Sequence, residues 1–231
     1  LRRRGRLKDE SLLCAAAARS GDLAELKTLR AENFPWNLST CALAAIGGHL
    51  ETLKWARANG CPWDWLTCAY AAEGGHLEVL QWARANGCPW NERTCAYAAK
   101  EGHVEALKWA GENGCPVDKW TCSYAAERGH VEVLKEVLKW AFENGCLLDA
   151  LTCSIAAKHG HLEVLKWARA NGCAWDKKTC ALAARKGHVE VLRWARENGC
   201  PWNEDTRRNM CAQAARVGHL EVLKWAHGNG C

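Results

Sequence analysis

Apolar residues recur along this chain at helical spacing, in short stretches separated by Gly and Asn. Between Asp64 and Gly75, residues Cys68, Ala71 and Ala72 fall on one face at the spacing of an α-helix. Asp64 stands where an N-cap is needed, and Asn37, Asn91, Asp118, Asp149, Asp176 and Asn203 hold the equivalent position elsewhere. Gly75 predicts the stop, because glycine tolerates the left-handed backbone of a tight reversal. A second helix is predicted from His76 to Asn86, its Glu in the first turn and its Arg near the end, as the helix dipole favours. No stretch alternates β-branched and polar residues, so no strand is predicted.

The same pair of elements repeats. Gly-His recurs at 48–49, 75–76, 102–103, 129–130, 160–161, 187–188 and 218–219, each followed by Asn-Gly-Cys and, in the first six, preceded by Thr-Cys. The successive spacings are 27, 27, 27, 31, 27 and 31 residues. With a degenerate first copy, the array has eight units: 11–36, 37–63, 64–90, 91–117, 118–148, 149–175, 176–202 and 203–231. A fixed period of this size predicts a solenoid. In the 31-residue unit the tetrad 135–138 reads as a tandem copy of the neighbouring turn, so it should lengthen the helix without rotating Trp140 off its face. The four extra residues before Cys211 should lengthen the first helix of the last unit likewise.

These residues resemble the ankyrin repeats. Gly160-His161-Leu162-Glu163-Val164-Leu165-Lys166-Trp167-Ala168-Arg169-Ala170-Asn171-Gly172-Cys173 runs without a gap along the family's Gly-His-Leu-Glu-Val-Val-Lys second-helix line, and Ala156-Ala157 matches its Ala-Ala. The resemblance spans residues 11–231 and implies an all-α solenoid of stacked helix-turn-helix units. The family's Thr-Pro-Leu-His is replaced by Leu-Thr-Cys-Ala at 66–69, and the unit is 27 residues where ankyrins have about 33. The six missing residues are those of the projecting β-hairpin, so little or no finger is expected.

Composition sharpens the picture. There are 14 Trp against 2 Phe and 3 Tyr. Seven Trp replace a family leucine in the second helix and five follow the turn, which predicts a core of stacked tryptophan; Trp65 and Trp120 lie outside both columns. The 15 Cys contain no Cys-x-x-Cys, and turn and helix cysteines stand seven apart, as Cys61 and Cys68 do. They read as small apolar core residues, all reduced and without metal, in a reducing compartment. The recurrent His suits a capping or turn-bonding role better than metal ligation, while His159 and His227 read as isolated and exposed. No phosphate loop, nucleophile elbow or carboxylate pair is present, so neither enzyme activity nor a cofactor is expected.

The net charge of +5 is concentrated at one end: residues 1–10, a basic N-terminal tail, carry +3 of it. A nucleic-acid-binding body would spread basic residues over a face. No segment has the ~18–20 apolar residues of a membrane helix. The first residue is Leu1 and the one Met is Met210, so the chain reads as a segment of something longer.

What remains is a protein-binding scaffold, the recognition arm of a larger intracellular protein, monomeric as a domain. The alternative is a nucleic-acid-associated or purely architectural repeat module. Binding residues belong where the units differ, at the two positions after each first-helix cap. Trp65, Leu66, Arg93, Lys119, Trp120, Lys177 and Lys178 are the candidate partner-binding residues, aromatic and cationic groups of the kind enriched in hot spots. Tyr70, Tyr97 and Tyr124 are expected to pack with their hydroxyls at the rim.

Overall fold

The computed structural model describes residues 2–128, 131–145, 149–176 and 178–230, and the side chains among them other than those of 2–9 and 131–134. Among the described residues there are sixteen helices and no strand. The chain forms two compact units, Leu1–Val117 and Asp118–Cys231.

The first unit holds four helix pairs: α1 (Arg2–Ser20) with α2 (Leu23–Ala31), α3 (Leu38–Ile46) with α4 (Leu50–Ala58), α5 (Trp65–Glu73) with α6 (Leu77–Ala85), and α7 (Glu92–Glu101) with α8 (Val104–Glu112). Asn37, Asp64 and Asn91 cap α3, α5 and α7 from extended backbone, each side chain accepting an orphan amide. Asp64 takes the amide of Leu66 at 3.0 Å. The first helices pack α1 on α3, α3 on α5 and α5 on α7. Their facing residues are Thr, Cys and Ala, all buried, and such small side chains let helix axes approach closely.

The second helices cover this layer. Leu53, Leu80 and Leu107 are each completely buried and form its apolar spine. Asn86 ends α6 by donating its side-chain amide to the Trp82 carbonyl at 2.8 Å, and Gly87 follows with φ +81°. Asn59 and Asn113 repeat this bond at 2.8 Å, so the Asn-Gly pair closes one helix and turns the chain in two consecutive residues.

The second unit repeats the plan with α9 (Lys119–Ala125), α10 (Val131–Glu143), α11 (Ala150–Lys158), α12 (Leu162–Ala170), α13 (Lys178–Arg185), α14 (Val189–Glu197), α15 (Glu204–Val217) and α16 (Leu220–His227). The extra tetrads are helical. α10 has 13 residues against 9 in α12, and α15 has 14 against 9 in α11. Val137, Leu138 and Ala141 are fully buried in the register that Val164, Leu165 and Ala168 hold in α12, because four residues nearly complete a turn.

The tryptophan columns differ from expectation. Trp55, Trp63, Trp82, Trp90 and their equivalents are half-buried, and the innermost layer belongs to Leu, Val, Ala and Cys. The indoles sit on the flank of the second-helix layer instead. Trp63 meets Trp82 edge-on at 5.9 Å and Trp90 meets Trp109 at 5.8 Å. Arg57 stacks its guanidinium 4.1 Å from the Trp63 ring while donating to the Cys61 carbonyl, and Arg84 does the same for Trp90 and Cys88. Trp36, Trp63, Trp90, Trp175 and Trp202 each pack between such an Arg and a second indole.

Candidate binding surface

The two positions after each first-helix cap lie at the start of that helix, and among the described residues they are half-buried or exposed. In the first unit, Trp65 and Leu66 are half-buried and Arg93, from the next repeat, is exposed. The Arg93 guanidinium lies 5.5 Å from the Trp65 ring and donates to the Tyr97 hydroxyl at 3.4 Å. Leu38 stands at the same edge, 41% exposed. The structure therefore joins Trp65 and Arg93 across adjacent repeats, and adds Tyr97. Tyr70 and Tyr97 are half-buried.

In the second unit, Trp120 is 42% exposed, an unusual condition for an indole. Lys119 reaches 5.5 Å from its ring, and Tyr124, one helical turn on, lies 6.0 Å away. Lys178 stands apart from this group on α13. It lines an open groove of about 510 Å³ with Asn203, Asp205, Thr206 and Asn209. Lys177 lies outside the described residues.

Two repeated chemistries also take definite form. The histidines do not cap their helices; each reaches back into the preceding repeat. His76 Nε2 bonds the Ile46 carbonyl at 3.0 Å, and His188 bonds that of Lys158 at 3.1 Å. His130 lies outside the described residues. His159, expected exposed, is half-buried, stacked 6.0 Å from His161, and its Nε2 is buried without a hydrogen bond. Burial holds it below the ordinary imidazole range.

In five repeats the cysteines form pairs twenty residues apart, Cys41–Cys61, Cys68–Cys88, Cys95–Cys115, Cys153–Cys173 and Cys180–Cys200. Cys180 and Cys200 bring their sulfurs to 2.9 Å. Cys68 Sγ reaches the Cys88 carbonyl at 3.9 Å while Cys88 Sγ donates to the Asp64 carbonyl at 3.3 Å. The thiols of Cys41, Cys68, Cys153 and Cys180 are pushed up, first by donating to the partner sulfur and then by burial. Their turn partners Cys61, Cys88, Cys173 and Cys200 are pulled down by accepting that bond, against the effect of burial.

Eleven described cysteines are buried thiols, as a core role requires. The expectation that all fifteen are reduced fails, because Cys122 and Cys211 are disulfide-bonded. Both hold the first-helix position, which in other repeats faces a second thiol. The turn cysteines of those repeats, Cys146 and Cys231, lie outside the described residues. Among the described residues no three His, Cys, Asp or Glu side chains gather as a metal site would need, and no helix is long and apolar enough to cross a membrane.

Capped helix pairs, repeated at a fixed period and stacked through a layer of small residues, define an all-α solenoid of tandem repeats. Residues 68–110 match the family described as ankyrin repeats (many copies). Over that stretch the chain is similar to ankyrin repeats, and its regular unit is 27 residues long. No curated protein matches it.

Proposed function

We propose that this chain is a non-catalytic protein-recognition scaffold that binds its partner along the starts of the first helices. The observation that carries the reading is Trp65 stacked under Arg93 from the next repeat, at an edge where the units differ in sequence. The shared positions are occupied by packing, so selectivity falls to this edge. An indole under a guanidinium offers apolar area and charged donors together, the combination most often found at the centre of protein interfaces. Trp120 with Lys119 offers the same pairing in the second unit. Ankyrin repeats generally mediate protein–protein contacts, which agrees with this use.

The test places a photo-crosslinking residue at 65, at 120 and, as a control, at the exposed 51 on α4. Irradiation in cell extract, followed by mass spectrometry, should give the same protein adducts at 65 or 120 and none of them at 51. Equal labelling at all three positions, or adducts at 51 alone, would overturn the edge as the binding surface.

A further inference from the structure

Each regular repeat buries two thiols against each other, and the mutual packing is closer than a core role requires. The 2.9 Å between the sulfurs of Cys180 and Cys200 is inside ordinary non-bonded contact, and a disulfide at about 2.05 Å is less than about 1 Å of movement away. The pair is held by the fold: the helix-1 member sits on a capped helix, and the turn member hangs from the Asn-Gly turn by its bond to the cap residue's carbonyl. Cys61 to Asn37 (3.6 Å), Cys115 to Asn91 (3.3 Å) and Cys173 to Asp149 (2.9 Å) repeat that bond. Independently, the two described cysteines that are disulfide-bonded, Cys122 and Cys211, both occupy the helix-1 position. Cys14 occupies it too, but twenty residues on stands Phe34, whose carbonyl its thiol faces at 3.9 Å.

We propose that the thiol pairs twenty residues apart, from Cys41–Cys61 through Cys180–Cys200, are reversible disulfide sites, closed by a peroxide and reopened by a thiol reductant, one staple per repeat. The turn thiol loses its proton first, because its sulfur then accepts a bond from the helix-1 thiol. The thiolate attacks one oxygen of hydrogen peroxide; the O–O bond breaks, and with a proton the products are a sulfenic acid and water. The helix-1 sulfur then attacks the sulfenic sulfur, the S–O bond breaks, and its thiol proton leaves with the hydroxide as a second water. Two thiols are oxidised and one peroxide is reduced. The oxidant reaches the turn cysteine by opening of an exposed turn, as Asn86, Gly87 and Pro89 are all exposed around buried Cys88. Two reduced sulfurs already in contact favour this closure over further oxidation of either one.

The experiment uses the full chain, first reduced, then treated with hydrogen peroxide, alkylated and digested without reduction. Peptides joined through Cys68–Cys88 and Cys180–Cys200 are expected, each pair lighter by two hydrogens and restored by dithiothreitol, while Cys14 stays alkylated throughout. A Cys88→Ala variant should leave Cys68 alkylated while Cys180–Cys200 still closes; the wild-type map stands whether or not this variant folds. Links between different repeats, loss of Cys14 at the rate of the pairs, or sulfinic and sulfonic products at both members would overturn the proposal.

Discussion

His76 donates from Nε2 to the carbonyl of Ile46, thirty residues earlier, at 3.0 Å. The same ring lies over Gly48, so close that a Cβ there would stand 2.6 Å from it, and Gly48 holds φ +75°. The Gly-His motif is therefore a latch between neighbours: the glycine of one repeat leaves room for the histidine of the next. Replacing His76 by Ala should destabilise the array by about 1 kcal/mol through the lost bond. Gly48→Ala should cost about 1–2 kcal/mol from backbone strain alone, with the clash added. Urea denaturation of the full chain reads both, and a Gly48→Ala protein as stable as the parent would remove the latch.

The latch implies a pH dependence. Burial depresses His188, assisted by His161, His219 and Lys186, while its bond to the Lys158 carbonyl acts the other way. A depressed histidine takes up its proton more readily once unfolded. Its contribution is therefore complete above the unfolded value of about 6.5 and is lost as pH falls below it. His159 is shifted in the same direction by burial and Lys158. The urea midpoint should drop on acidification from about pH 7 to about pH 5, and His188→Gln should flatten that slope. A midpoint that holds or rises over this range would contradict the assignment.

Much of this was legible in the sequence, because caps, glycines and period act locally. Asp64, Gly75 and the tetrad at 135–138 do in the structure what their chemistry dictates within a few residues. Long-range partners were less legible. Trp82 stands in place of a family leucine, a position that points to the core, yet its indole is half-buried and lies beside Trp63 from the previous repeat. The His76 acceptor is a backbone carbonyl, which no side-chain pattern reveals. The cysteine pairing was hidden because the turn thiol is seven residues from the next repeat's cysteine in sequence, while its structural partner is twenty away in its own repeat.

Protection should vary along the array. Leu192 is fully buried in α14, whereas Leu223, its equivalent in α16, is half-buried and Leu220 is 66% exposed. Stability in a repeat array follows unit and interface terms. Amide exchange should therefore be fastest over Leu220–His227 among the second helices, and slowest in the central repeats between Asp64 and Trp202. Uniform protection through α16 would contradict this.

The most direct measurement of recognition at the edge is the affinity of the crosslinked partner for full-chain variants. Trp65→Ala and Arg93→Ala should each weaken binding about tenfold or more, a loss of about 1.4 kcal/mol, and Trp120→Ala should do so if the partner reaches the second unit. Glu51→Ala, exposed on α4 and away from the edge, should leave the affinity unchanged with the same fold by circular dichroism. Undiminished binding by Trp65→Ala and Arg93→Ala, with loss in Glu51→Ala, would contradict recognition through the first-helix edge.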